Sequence, residues 1–378
     1  MKNILLLFAA CLILILSWLA PPIACASETI RIAAIFARSG EAATSNIVIF
    51  NGIHFAIGEI NKKGGLLGKT VEVVEIDNQS TALGSKAAAE KAVTEGVQAV
   101  IGGSRSSHAL AMAPVLQAAK IPMISPSATI PELTAVGDYI FRTSFTDDFQ
   151  GKIIATFALR DLDAGTAVVL TNTGSKYSIG LSKVFSEQYH KAGGEILLEG
   201  EYLENVTDFA MLLEKVQALK PKVVFLSGYF RDVGTIMKTA KTLGMRLQFV
   251  GGDGWNEDLL YQYAGDAAEG SYACSSWSRG STDSLNRQFV DTFEKTYGRI
   301  TSFLIPLVYD SCNLLADAIT RARSQDPVKI RDALAATRGL KGVTGDITFD
   351  ENRNPLYKSA VILKYEKSAA IYYKTFQP

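Results

Sequence analysis

The sequence predicts an α/β protein of two Rossmann-like lobes, each a mostly parallel sheet covered by helices. Three observations carry this. Strand-like and helix-like runs alternate from Ile30 to Val250, the rhythm of βαβ units in a sheet buried on both faces. The rhythm falls into two blocks that meet near Thr146-Asp147-Asp148. Beyond an N-terminal leader roughly 350 residues remain, and at ~100–200 residues per domain that is two domains.

The leader comes first. Lys2 supplies a positive charge, Ile4 to Leu19 is almost entirely apolar, and Ala24-Cys25-Ala26 places small residues before Ser27. These are the three regions of a secretory signal peptide, here 1–26. The apolar run falls short of the ~20 residues that span a bilayer, which ranks cleavage above an uncleaved anchor. A lipid anchor on Cys25 is the third reading, and Pro22 argues against it. The expected location is periplasmic.

Ile30 to Phe36 reads as a strand. Phe50, Ile53, Ile57 and Ile60 recur at helical spacing until Gly64-Gly65 stops them. Strands follow at 71–76, 99–101 and 122–125, with helices at 82–93 and 109–119. In the second block, strands are expected at 167–170, 196–202, 223–226 and 247–250, with helices at 178–189, 209–219 and 233–243. Leu304, Leu307, Val308, Cys312, Leu315 and Ile319 then mark a long amphipathic helix. Strand-like runs at 347–349, 360–365 and 370–376 close the chain.

Composition excludes several functions. Lys plus Arg and Asp plus Glu both number 38, so the formal net charge is zero and the basic face that nucleic acid needs is missing. Of four cysteines, two lie in the leader. Cys274 and Cys312 are read as small buried apolar residues rather than a disulfide framework. His54, His108 and His190 have no partner at metal-ligand spacing. No G-x-S-x-G elbow, phosphate-binding G-x-x-x-x-G-K-[ST] loop or H-E-x-x-H pair occurs. Neither enzyme chemistry nor a cofactor is expected. Asn205-Val206-Thr207 fits the glycosylation pattern too weakly to use.

In open α/β sheets, ligands bind beyond the carboxyl ends of the strands. There the sequence places Gly102-Gly103-Ser104-Arg105-Ser106-Ser107, Ser125-Pro126-Ser127-Ala128-Thr129, Thr171 to Tyr177, Ser227-Gly228-Tyr229-Phe230, and Gly251-Gly252-Asp253-Gly254-Trp255. Two of these segments lie in the first block and three in the second, as the two walls of a cleft would. Hydroxyls at a helix start suit an anion, because free N–H groups and partial positive charge gather there. Ser106 or Ser107 is alternatively an ordinary helix cap, and Ser127 and Thr129 turn residues. Asp253, flanked by glycines, admits close approach of a cation; a turn or cap is its other reading. Tyr177, Tyr229 and Trp255 are read as cleft walls, with the core as the alternative.

These segments resemble the branched-chain amino-acid-binding proteins, type I periplasmic solute-binding proteins of ABC importers. The likeness rests on Gly102-Gly103-Ser104 with Ser106-Ser107, Ile121 to Thr129 with Pro131-Glu132-Leu133-Thr134, Glu59-Ile60-Asn61 with Gly64-Gly65 and Gly68, and Gly251 to Trp255 with Ala267 to Gly270. It spans nearly the whole chain after the leader. It implies ligand-binding roles for Ser106 and Thr129 on a carboxylate, with Ser127 giving mainly backbone. It puts Asp253 on an α-ammonium and Tyr177 and Tyr229 on the second lobe. It also implies a three-segment hinge, with lobe 1 at 28–147 and 277–354 and lobe 2 at 148–276 and 355–378.

Two departures are present. Glu41-Ala42-Ala43-Thr44-Ser45 lacks an aromatic expected near Ser45, and a cysteine pair found in some members is missing. The expected partners are an α-amino acid and a membrane permease, and the expected state is a monomer. With Arg105 and Lys176 read as pointing to solvent, an apolar ligand side chain, aliphatic before aromatic, is expected. A ligand-binding sensor for amino acids or other small carboxylates is the competing function.

Overall fold

The computed structural model describes residues 29–203, 206–255 and 258–377. The leader, with Cys25, and Asn205 lie outside the described residues.

The first block builds β1 (Ile30–Phe36), α1 (Ala43–Lys62), β2 (Val71–Asp77), α2 (Ala82–Thr94), β3 (Ala99–Gly102), α3 (Ser106–Ala119), β4 (Met123–Ser125), α4 (Glu132–Ala135) and β5 (Ile140–Arg142). Its five strands are all parallel, in the order β2-β1-β3-β4-β5. The strands are nearly continuous apolar runs, as burial on both faces requires. One face packs on Ala88, Ala92, Met112 and Leu116 of α2 and α3, the other on Phe50, Ile53 and Ile57 of α1.

The chain then crosses over. It forms α5 (Asp147–Arg160), β6 (Thr166–Asn172), α6 (Lys176–Lys191), β7 (Glu195–Tyr202), α7 (Ala210–Leu219), β8 (Val223–Ser227), α8 (Phe230–Thr242), β9 (Phe249–Gly251), a single 3-10 turn at Asp253–Trp255, α9 (Asp258–Ala264) and β10 (Tyr272–Ser275). It returns to the first sheet's core through α10 (Ser284–Tyr297), α11 (Leu304–Ala322) and α12 (Pro327–Ala335), where Phe289, Phe293, Leu307, Leu315 and Leu334 pack. A last crossing adds β11 (Ala360–Glu366) and β12 (Ala369–Phe376) to the second sheet. That sheet runs β12-β11-β10-β9-β8-β6-β7, parallel except for the two C-terminal strands.

The parallel parts of both sheets share one arrangement, with the first strand of the block in second place. The strand order therefore reverses between β1 and β3 in one sheet and between β6 and β8 in the other. Such reversal points open a crevice at the carboxyl ends of the strands.

One expected strand is absent. Residues 347–349 form only isolated bridges, Leu340 with Ile347 and Phe349 with Pro355. Ile347 and Phe349 are buried against the first lobe's core, so the apolar run records packing rather than sheet pairing. Cys274 and Cys312 are buried free thiols in different cores. Among the described residues, no helix is long and apolar enough to cross a membrane, and no group of three or more His, Cys, Asp or Glu could hold a metal ion.

Candidate functional site

The two reversal points face one cavity. The first sheet contributes the start of α1, the start of α3 and the loop after β4. The second contributes the start of α6, the start of α8 and the turn after β9. Ser106, Ser127, Thr129, Tyr177, Tyr229 and Asp253 all line this cavity, with Ser45 beside them.

The start of α3 has no side-chain cap. Arg105, not a serine, occupies the cap position, in extended backbone, and Ser106 is the first helical residue. The reading of Ser106 or Ser107 as an ordinary cap therefore fails. Gly103 makes the bend: its φ is +79°, and a Cβ there would come within 2.7 Å of Ala109. The Ser106 hydroxyl is left buried with no hydrogen-bond partner in the protein, and the Thr129 hydroxyl is in the same state. Buried polar atoms without partners are costly and uncommon, so two on one wall of one cavity mark a place for a polar ligand. Ser127 differs: its hydroxyl donates to the Ser104 carbonyl at 3.0 Å, leaving its backbone for any ligand.

Thr129 is held from behind by Arg142, a side chain with no exposure at all. Its guanidinium donates to the Ala128 carbonyl at 2.9 Å and the Ile130 carbonyl at 2.7 Å. Burial holds the Arg142 pKa down at about 10. Next along the chain, the Asp147 N–H donates to the Thr129 carbonyl at 2.9 Å.

On the other wall, Asp253 is 6% exposed. The Tyr177 hydroxyl donates to its Oδ1 at 2.9 Å, and the Asp253 N–H donates to Gln150 Oε1 at 2.7 Å. The flanking glycines make room for Tyr177, since a Cβ at Gly252 would strike its hydroxyl and one at Gly254 its ring. Burial pushes the Asp253 carboxyl up to about 6. Burial, with the Asp253 charge second, pushes the fully buried Asp147 well above the usual range. Tyr177 stays protonated for the same two reasons. Its ring stacks on Tyr229, with centroids 5.3 Å apart.

Two sequence expectations are corrected. Trp255 is not a cleft wall. It is fully buried, its indole N–H donates to the Leu226 carbonyl at 3.1 Å, and its ring lies over Gly251, where a Cβ would strike it. Arg105 does not point to solvent. It lines the cavity at 8% exposure, with its guanidinium 4.1 Å above the Tyr229 ring centre and Nη2 3.3 Å from Glu41 Oε1. A countercharge and an aromatic face replace the water that long cations usually seek. Lys176 is exposed.

Sequence reasoning missed Asn46, Phe303 and Leu304 and gave Phe230, in a strand-end segment, no role; all four also line the cavity. Asn46 Oδ1 accepts from Ser104 Oγ at 2.7 Å and from the Ala37 N–H at 3.2 Å, tying the ends of β1 and β3 together. Phe303 and Leu304 come from the start of α11, far along the chain; the apolar stripe of that helix was legible, its end in the cleft was not.

Known proteins resemble this chain along most of its length. The model of the periplasmic binding protein family matches residues 29–370. The leucine-specific-binding protein of Salmonella typhimurium is 29% identical over 326 residues, 86% of this chain and 88% of that one. Among solved structures, the branched-chain amino-acid transporter substrate-binding protein of Streptococcus pneumoniae, in complex with isoleucine, is 32% identical. It superposes with a TM-score of 0.88, covering 93% of this chain and 100% of that one. A leucine-binding protein of Thermotoga maritima also gives 0.88, at 30% identity, covering 92% and 99%.

Proposed function

Since the chain belongs to the periplasmic binding protein family, we propose that it is an extracytoplasmic receptor of an ABC importer, which captures an α-amino acid with an apolar side chain between its lobes and does no chemistry on it. The relatives named above include a leucine-specific-binding protein and a branched-chain amino-acid transporter's substrate-binding protein in complex with isoleucine. One observation carries the reading: two buried, unpartnered hydroxyls, Ser106 and Thr129, line the same cavity as a buried carboxylate, Asp253.

The α-carboxylate sits at the start of α3, taking the Ser106 and Thr129 hydroxyls and the backbone N–H groups of the helix start and the Ser127 loop. Helix polarity adds to these donors. The α-ammonium pairs with Asp253, whose second neighbour, Tyr177, keeps its ring against the same end. The side chain meets Tyr229, Phe230, Phe303 and Leu304. Burying an aliphatic group there contributes ~1.5–3 kcal/mol. A second ligand charge in such a closed site would be heavily penalised.

The lobes are 28–147 with 277–354, and 148–276 with 355–378, joined by three crossing segments. Export by the leader places the receptor in the periplasm as a monomer, where it delivers its solute to a membrane permease.

The role of the ammonium is tested by calorimetry with leucine and with 4-methylpentanoate, the same molecule lacking its amino group. Leucine binds; the analogue brings a carboxylate but no partner for Asp253, and is expected to bind at least a hundredfold more weakly. Equal affinity would mean a receptor for simple carboxylates instead.

A further inference from the structure

Arg105 is the residue that the fold treats most unexpectedly. Arginine is rarely buried, yet this side chain is 8% exposed and lies between the lobes. It projects from the first-sheet side, at the cap of α3, onto the face of Tyr229 on the second-sheet side, 4.1 Å away. Glu41, from the loop after β1, supplies the opposite charge at 3.3 Å. Beneath Tyr229 lies Tyr177, and the Tyr177 hydroxyl donates to Asp253. Glu41, Arg105, Tyr229, Tyr177 and Asp253 thus form one row running from the first lobe to the ammonium site of the second.

We propose that the Arg105–Tyr229 stack is a latch between the lobes, which holds the cleft closed and sets how long a bound solute stays. The inference rests on the solute-binding reading above. A guanidinium over an aromatic face gains most where water is excluded, so the stack is strongest in the closed form. Opening about the hinge separates the two partners and returns both to water. Because Glu41 and Arg105 belong to the same lobe, their pairing survives opening; among the contacts described for Arg105, the one with Tyr229 spans the lobes and favours the closed form. The charge of Arg105 is balanced by Glu41 whatever the ligand, so the latch works without solute too. Its backbone caps α3, so closing the latch and bringing Ser106 to the ligand carboxylate are one movement. Planarity matters as well: a lysine at this position keeps the charge but loses the flat stack.

The test is single-molecule energy transfer between dyes on cysteines introduced by Lys86→Cys and Lys183→Cys. These are exposed helical positions, one on each lobe, and the native Cys274 and Cys312 are buried. The ligand-free protein is expected to show a closed subpopulation. Arg105→Ala and Tyr229→Leu should each deplete it about tenfold, and the double variant no further, because both remove the same contact. Tyr229→Phe, which keeps the ring face, should retain it. With leucine as probe, Arg105→Ala should speed dissociation about tenfold and leave association nearly unchanged. A ligand-free protein with no closed subpopulation, one that Arg105→Ala leaves unaltered, or additive losses in the double variant would overturn the latch. Leucine failing to shift the wild-type histogram would count against the amino-acid reading alone, since the ligand-free comparison does not depend on it.

Discussion

On the proposed reading, a single residue, Asp253, sets the terms of binding. In the ligand-free cleft its carboxyl takes up a proton at about 6, raised from an ordinary 3.8 because it is buried. An ammonium group pairs with the ionised form. Affinity is therefore full above pH 7 and falls as the pH drops through 6, by roughly tenfold between pH 7 and pH 5. Tyr177 stays protonated and His108 is held neutral with a pKa near 4 by burial and the Arg105 charge, whereas Asp147, pushed up by burial and by the Asp253 charge, is coupled to Asp253. The same shift works against the ligand-free fold. Between about pH 4 and 6 the native state holds a proton that the unfolded chain has released, so this group's contribution to stability declines as pH rises. Asp253→Asn should weaken leucine at least tenfold at pH 7 and abolish the slope; calorimetry at four pH values reads both. A slope that persists in the variant would move the titration to another group. The Asp253 position was legible from its glycines, although the glycines serve Tyr177 rather than the ligand. Trp255 and Arg105 were misplaced because local sequence does not reveal what a long side chain finds at a distance: for one the space over Gly251 within its own core, for the other the face of Tyr229 across the cleft.

At the scale of elements, the loop between β4 and α4 depends on a strand that sequence could not reveal. β5 has three residues, and one of them is the buried Arg142, so no alternation marks it. Yet Arg142 fixes the Ala128 and Ile130 carbonyls on either side of Thr129. Arg142→Met keeps the stem and removes the charged donors, leaving the Ala128 carbonyl to the Ser144 hydroxyl at 3.3 Å, the Ile130 carbonyl to the Leu133 N–H at 3.2 Å, and Asp147 without its nearby positive charge. A loss of about 3 kcal/mol in urea unfolding is expected, together with weaker leucine binding through a displaced Thr129. Unchanged stability would show that Ser144 and Leu133 are donors enough for those carbonyls. The elements that sequence did reveal were those with a clear period, such as β1, α1 and the long α11. Those it missed were short or had narrow stripes: α10 buries only Asn286, Phe289, Val290 and Phe293 among charged neighbours. The false strand at 347–349 is the opposite case, an apolar run without a partner strand.

At the scale of the molecule, one strand order occurs twice, and the two reversal points face each other across one cavity. That arrangement was within reach of the sequence, because the polar segments after the strands came from both blocks. The return of α10 to α12 to the first lobe was not in the local pattern; it came only with the family resemblance. Doubling the wall explains why neither lobe alone makes the site: hydroxyls and helix start come from one, carboxylate and stacked tyrosines from the other. On the proposed reading, this divided site takes an amino acid with an apolar, preferably aliphatic, side chain. Side-by-side calorimetric titration with leucine, valine, phenylalanine, glutamate and lysine tests it most directly. Leucine or valine should bind tightest, phenylalanine next, and glutamate and lysine at least about a hundredfold more weakly, since a second charge would enter a site lined by Phe230, Phe303 and Leu304 with Arg105 already matched by Glu41. Glutamate or lysine binding tightest would rule out an apolar side-chain pocket.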